Sequence, residues 1–270
     1  MSRNITFLEL KYGNIYGGYP NFYAISEASL LIYEVETERI FIESWVNNTD
    51  VDIVNVYSKP NELGHTVGRV REVVNLRTRR RKPYREDFRL DDRDIDYAFR
   101  SLRPTRQHIN RFFYKNFRKY NIRDIVVFDG RRDIFLLERC QVDFSRTRIR
   151  DLQRELNQAT DYLFSLNKLA KVIGFDIDTH LRSNNLEYWL HPIAARQIVP
   201  KSAAYDAARL LMVNNEFRFH NDRFLLDAQR LLIKIQQTTP PKEETPTVTT
   251  TESTEAPAVE ETSTEPPIEE

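Results

Sequence analysis

Three stretches near the start of the chain decide the fold class: ITFLEL (5–10), AISEASLLIYEV (24–35) and RIFIESWV (39–46). Each is rich in the β-branched and aromatic residues that are typical of strands. The short polar link 36–38 between the second and third stretches predicts an antiparallel hairpin. Glycine and proline in 11–22 predict a loop after the first strand. The chain therefore begins with three predicted strands.

The later part of the chain carries mostly helical patterns. Apolar residues at three- and four-residue spacing predict a helix over 105–120, and DIVVF (124–128) predicts a short buried strand. The stretch 47–90 is polar and is predicted to be irregular. Further helices are predicted over 131–139, 165–173, 202–217 and 222–235. This order predicts an α/β domain in which helices cover a mixed sheet.

The charge of the chain is unevenly distributed, although its formal net charge is zero. Residues 238–270 are rich in Thr, Glu and Pro and contain nine Glu but one basic residue, Lys242. Residues 1–237 hold 39 basic and 31 acidic residues. Such a composition predicts one domain over 1–237 and a disordered acidic tail over 238–270. The excess of positive charge on the domain favours an anionic partner.

Other features predict the compartment. Cys140 is the one cysteine of the sequence, so a disulfide within the chain is excluded, and a reducing cytoplasm is expected. No stretch approaches the roughly 20 apolar residues that a spanning helix requires, and the first residues do not resemble a signal region. We expect a cytoplasmic protein without a membrane partner.

Four charged residues that are far apart in the sequence are candidates for one site: Glu9, Lys11, Asp133 and Asp206. Glu9 and Lys11 are two residues apart in the first predicted strand, so their side chains point to the same face. Asp133 follows the predicted strand 124–128, and Asp206 lies in an Ala-rich helix that can approach the sheet closely. Carboxylates that converge in this way are what a two-metal phosphodiesterase requires, with Mg²⁺ or Mn²⁺ as the ion.

These positions lie in four motifs that follow one another along the chain: FLELK (7–11) with AISEASL (24–30), VVFDGRRDIFLL (126–137), SLNKL (165–169) with Gly174, and KSAAYDAAR (201–209). In order and spacing they resemble the motifs of the DnaQ-like, or DEDD, 3′–5′ exonuclease family. The resemblance spans roughly residues 3–217. It implies a ribonuclease-H-like fold, in which strands 1–3 are antiparallel and later strands run parallel to the first. It also implies a polynucleotide end as substrate, with Glu9, Asp133 and Asp206 as catalytic and metal-binding residues.

The sequence departs from the family pattern at two important positions. Lys11 stands where the family has the second acid, and Lys201 stands where it has a general-base histidine. An ammonium group close to a divalent ion is repelled by several kcal/mol. The ammonium group of Lys11 is therefore expected to form an ion pair with Glu9 instead. His191, ten residues before Lys201, is expected to be structural. The predicted function is therefore a nucleic-acid-binding protein of exonuclease type with impaired or absent catalysis.

A basic cluster provides candidate phosphate contacts for a single-stranded end. Tyr84 and Phe88 are candidates for stacking on a base. Two alternatives stay open, namely an active metal-dependent 3′–5′ exonuclease with an unusual site, and a non-catalytic scaffold whose acidic tail binds a protein partner. The cluster comprises Arg77, Arg79, Arg80, Arg81, Lys82 and Arg85.

Overall fold

The computed structural model describes residues 4–60 and 66–238. The predicted disorder of the acidic tail falls almost wholly on 239–270 and lies outside the described residues. The strands are β1 (Asn4–Ile15), β2 (Tyr23–Glu34), β3 (Arg39–Val46), β4 (Asp52–Pro60), β5 (Thr66–Asn75), β6 (Arg81–Pro83), β7 (Asp124–Val127), β8 (Arg148–Asp151), β9 (Asp176–Ile177), β10 (His180–Arg182) and β11 (Glu187–Trp189).

The helices are α1 (Asp92–Lys119), α2 (Arg131–Glu138), α3 (Leu152–Thr160), α4 (Leu166–Val172), α5 (Pro192–Gln197), α6 (Ala203–Phe219) and α7 (Asn221–Thr238). All five predicted helices are present, but the first begins at Asp92 instead of 105, and two helices, α3 and α5, were not predicted. Ser202 caps α6 by accepting a hydrogen bond from the backbone N–H of Tyr205. Gly174 follows α4 with a φ of +60°, which glycine adopts without strain. Both capping predictions are confirmed.

The main sheet follows a six-stranded antiparallel path, β3-β2-β1-β4-β5-β6, and it is curled. The predicted hairpin of β2 and β3 is confirmed, with Glu34 opposite Arg39. Two other predictions are wrong, because β1 continues to Ile15 and because the stretch 47–90 contains β4, β5 and β6. These strands read as irregular because they are partly exposed on both faces, so their charged residues hide the apolar alternation.

The ribonuclease-H-like mixed sheet that the resemblance implied is wrong as the description of this fold. The sheet extends from β1 through β4, β5 and β6 by antiparallel pairing, beginning where Asn14 lies opposite Val54. Among the described strands, parallel pairing involves β7 and β8, which have four residues each. β7 pairs with the N-terminal half of β1, and β8 pairs with β7. The physical reason is the length of β1. Because the short strand β7 pairs only with the beginning of β1, the C-terminal end of β1 is left to pair with β4.

The core lies on both faces of β1, because successive side chains point to opposite sides of a strand. Phe7 packs with α6, while Leu8 and Leu10 pack with α1 and α2. On the α6 side the helix presents buried alanines, which bring its axis close to the sheet. These alanines are Ala203, Ala204, Ala207 and Ala208. Glu9 and Lys11 share the face of Phe7 and therefore point towards the beginning of α6.

No helix within 4–60 and 66–238 is long and apolar enough to cross a membrane.

Candidate functional site

The three predicted carboxylates lie on β1, in the first turn of α2 and in the first turn of α6. Asp133 lies in the first turn of α2, directly after β7, which runs beside the first half of β1. Asp206 lies in the first turn of α6, which the buried alanines hold against β1. The negative charges of Asp133 and Asp206 both act on the Glu9 carboxyl and raise its pKa. Three residues that are distant in the sequence thus form one electrostatic cluster, which we call the carboxylate cluster.

Lys11 pairs with Asp206 across the interface between sheet and helix. Its ammonium donates to Oδ2 of Asp206, and the Arg209 guanidinium donates to Oδ1 at 3.2 Å. Both oxygens of Asp206 are therefore engaged by cations of the protein itself. The predicted Glu9–Lys11 pair is replaced by this one, because α6 approaches β1 closely enough for the long Lys11 side chain to reach it.

Glu9 is the least satisfied member of the cluster. Its Oε1 is buried and has no hydrogen-bond partner in the part of the chain that the structure describes. Burial, and secondly the charges of Asp133 and Asp206, raise the pKa of Glu9 well above its usual range, against the opposing effect of Lys11 and Arg209. The Glu9 side chain is thereby driven towards its neutral form.

Asp133 is likewise shifted towards its neutral form. It is only 8% exposed, and this burial raises its pKa to about 7. A backbone hydrogen bond from Leu10 and the charge of Lys11 oppose the shift but do not cancel it. At neutral pH the cluster therefore carries less negative charge than its three carboxyl groups indicate.

The cluster does not have the arrangement of a metal centre. Across 4–60 and 66–238, no three His, Cys, Asp or Glu side chains are grouped so that they could hold a metal ion. The carboxylate of Asp206 already accepts hydrogen bonds from Lys11 and Arg209. A divalent ion needs charged oxygen ligands and is repelled by cations that already occupy them. The residues present do not fit the Mg²⁺ or Mn²⁺ that an active nuclease requires.

A groove of about 860 Å³ opens beside Asp206, along β1, β4, β5 and the beginning of α6. We call it the cationic groove, because its lining contains seven basic side chains and three acidic ones, Glu27, Glu72 and Asp206. Tyr12, Tyr23 and Tyr57 also line it. Its basic side chains are Lys11, Arg69, Arg79, Arg81, Arg132, Lys201 and Arg209.

Several of these cations have partners, but positive charge remains in excess. Arg79 lies 3.8 Å from Glu27, and Arg81 lies 3.3 Å from Glu72. Arg132 donates to the Tyr23 hydroxyl at 3.0 Å and lies over the ring of that tyrosine. Arg69 and Lys201 have no ion pair with any residue that the structure describes. The groove therefore retains cationic groups that an anionic ligand can engage.

The predicted basic cluster is divided by the fold. Arg79 and Arg81 line the cationic groove, whereas Lys82 points to the opposite face and pairs with Asp52. The division follows from the alternation of side chains along β6. The other members of the cluster do not line the groove; they are Arg77, Arg80 and Arg85.

The aromatic residues of the groove also differ from the predicted ones. Tyr84 and Phe88 pack against the ring of Tyr16 and do not line the groove. Tyr57, which is 47% exposed, lines the groove instead. Neither Tyr57 nor Arg69 was identified from the sequence, because both lie in β4 and β5, which the polar composition concealed.

Lys201, at the general-base position of the motif, and His191, ten residues earlier, lie in different places. Lys201 lines the cationic groove just before α6. His191 caps α5 by accepting a hydrogen bond from the backbone N–H of Ile193, and it lines a separate cavity beside β3 and β11. The structural role expected for His191 agrees with this position, and none of the histidines within 4–60 and 66–238 lines the groove.

No family model, curated protein or solved structure matches the chain. The resemblance to DnaQ-like exonucleases therefore rests on the sequence motifs and stays a prediction. What the site can do follows from its charges: an open, cation-lined groove next to carboxyl groups that hold protons or bind protein cations.

Proposed function

We propose that this protein binds single-stranded nucleic acid in the cationic groove and does not cleave it by a metal-ion mechanism. The observation that carries the proposal is the Lys11–Asp206 pair, which lies in the wall of a groove with seven basic side chains. The positive charge of this wall favours the binding of phosphates, and the same positive charge disfavours the binding of metal ions.

Binding is supported by the combination of basic and aromatic side chains. Arginine and lysine side chains bind phosphates, whereas exposed aromatic rings stack on unpaired bases. Arg69 and Lys201 provide cations without ion-pair partners in the described chain, and Tyr57 provides an exposed ring. Single-stranded rather than duplex nucleic acid is favoured because stacking requires bases that are not paired.

Loss of catalysis is supported by the charges around the carboxylate cluster. To bind at Asp206, a metal ion has to displace two cations, Lys11 and Arg209, from its carboxylate oxygens. The repulsion between two such charges a few ångströms apart amounts to several kcal/mol at intermediate dielectric. Lys201 adds a further ammonium group, which donates hydrogen bonds and cannot accept the proton of an attacking water.

The binding test measures fluorescence anisotropy of labelled dT20 and U20 with the full chain, at several salt concentrations. Arg81→Ala removes a groove cation, while Lys82→Ala removes the adjacent cation from the opposite face and serves as the matched control. We expect Arg81→Ala to weaken binding about 3- to 10-fold and to reduce the salt slope by about 0.7, as for one lost phosphate contact on a single strand. Lys82→Ala should change the affinity less than about twofold.

The cleavage test incubates the same oligonucleotides with excess protein and Mg²⁺ or Mn²⁺. We expect intact product after single-turnover times. Cleavage that is abolished by Asp206→Ala would establish an active nuclease and overturn the proposal. Equal affinity of wild type, Arg81→Ala and Lys82→Ala would overturn the assignment of the groove. Absence of binding under every condition, including in the chain with a neutralised tail described below, would favour the scaffold.

A further inference from the structure

We propose that the acidic C-terminal segment of the chain, residues 239–270, docks in the cationic groove and competes there with nucleic acid. The segment contains nine Glu and one Lys. The inference uses the proposed function for the identity of the competitor, but the docking itself depends only on the charges of the groove and of the segment.

Charge complementarity is the first argument. The groove lining has four more basic than acidic side chains, and two of its cations, Arg69 and Lys201, lack ion-pair partners within the described residues. The segment carries a net charge of −8. A carboxylate and a phosphate present the same kind of acceptor to a guanidinium or ammonium group. The segment can therefore satisfy the same donors as a nucleic-acid backbone.

The place where the segment begins is the second argument. It follows Thr238, the last residue of α7, and α7 packs against α6 and α4. The groove is reached at the first turn of α6, where Arg209 also bonds Asn167 of α4. A random coil of 32 residues has a root-mean-square span of about 30 Å, whereas the 17 residues of α6 measure about 25 Å. The tether is long enough to reach the groove without being stretched.

Tethering makes a weak contact effective. Attachment to the same chain gives an effective concentration of about 1 mM, so a contact with a dissociation constant of about 0.1 mM is roughly 90% occupied. Because nucleic acid then binds only the unoccupied fraction, its apparent affinity falls about tenfold. The tail thus lowers the apparent affinity of every ligand that needs the same groove by the same factor.

The first experiment uses the full chain in which all nine Glu of the segment are replaced by Gln, so that its length and composition are otherwise kept. We expect labelled dT20 to bind this variant about tenfold more tightly than wild type at low salt. The gain should shrink at high salt, and it should shrink when Arg81→Ala is added but not when Lys82→Ala is added. Equal affinity of wild type and the Gln variant would overturn the inference.

A second experiment contains no nucleic acid, so that failure of the inference and failure of the proposed function can be told apart. A fluorescent peptide of residues 239–270 is titrated with the Gln variant. We expect saturable binding that weakens about threefold or more with Arg81→Ala and is unchanged with Lys82→Ala. Peptide binding without binding of dT20 would retain the inference and overturn the proposed function. Binding of dT20 without binding of the peptide would do the reverse.

Discussion

Lys11 of β1 and Asp206 of α6 form an ion pair that joins the sheet to the helix at the edge of the cationic groove. The two residues are 195 positions apart in the sequence, and both lie where the DnaQ-like motifs place acidic residues. A lysine at the first of these positions makes the contact with Asp206 attractive. The consequence is that Asp206 is held by the protein and is not presented to a metal ion.

The strength of this contact can be measured with a double-mutant cycle of Lys11→Gln and Asp206→Asn. The Lys11 and Asp206 side chains are 33% and 16% exposed, so we expect a coupling free energy of about 1 kcal/mol after solvent screening. The measurement is urea denaturation of the four proteins. Lys82 and Asp52 form a matched control pair with a more exposed lysine, for which we expect less than about 0.5 kcal/mol. Equal coupling in both cycles would contradict the special position of Lys11.

Restoring the family pattern should create a metal site. In the double variant Lys11→Glu, Lys201→His, Asp206 loses one of its two cations, and a fourth carboxyl group joins the cluster. We expect Mn²⁺ to bind at least tenfold more tightly than to wild type, because hard oxygen ligands replace a repelling ammonium. Isothermal titration calorimetry at pH 8, above the pKa of about 7 of Asp133, provides the measurement. Lys201→His alone is the control, and unchanged affinity in the double variant would refute the proposed register of the motifs.

Asp133 should make the stability of the protein depend on pH. Burial raises its pKa from the usual 3.8 to about 7, so the folded protein keeps a proton that the unfolded chain releases in this range. Stability from this group is therefore unaffected below about pH 4 and falls as pH rises towards 7, where the cost approaches a few kcal/mol. Asp133→Asn removes the ionisation and retains an acceptor for Leu10.

Asp133→Asn should accordingly raise the melting temperature at pH 8 by several degrees and change it little at pH 4.5. The measurement is a thermal scan of both proteins at the two pH values. Glu138→Gln removes one negative charge from an exposed position of the same helix and should be neutral at both pH values. A gain for Asp133→Asn that is equal at pH 4.5 and pH 8 would contradict the raised pKa.

The sequence was informative where local rules decide structure. Capping by Ser202 and by Gly174 and the hairpin of β2 and β3 follow from short-range chemistry, and the structure contains them. The electrostatic influence of Asp133 and Asp206 on Glu9 is consistent with the prediction that strand ends and small helical residues bring these side chains to one side of the sheet. Such arguments need no knowledge of distant strand partners.

The sequence was misleading where structure depends on pairing between distant strands. β4 and β5 pair over nine positions although 47–90 is polar, and both faces of these strands are partly exposed, which hid the apolar alternation. As a result, Arg69 and Tyr57 were not identified, and the sheet was expected to continue through parallel strands. The partner of Lys11 was also missed, since Glu9 is close in sequence whereas Asp206 is close only after α6 packs on β1.

Gly13 directly precedes the residues of β1 that pair with β4, and it gives the sharpest test of the antiparallel extension. A Cβ atom at Gly13 would lie 2.4 Å from the carbonyl oxygen of Val54 in β4, a backbone atom that cannot move without the strand. Gly13→Ala should therefore separate β4 from β1, with a cost of about 2–3 kcal/mol for overpacking against a rigid neighbour. Gly68→Ala is the matched control, because its Cβ would meet nothing within 4 Å.

Both residues lie in strands of the same sheet, so differences in intrinsic strand propensity cancel between the two variants. Urea denaturation should show the loss for Gly13→Ala and a change below about 0.5 kcal/mol for Gly68→Ala. Because Gly13 and Val54 both line the cationic groove, Gly13→Ala should also weaken the binding of dT20, at a temperature where the variant is still folded. Equal stability of the two variants would show that β1 and β4 are not in this contact, and the groove would then lose the wall that carries Tyr57.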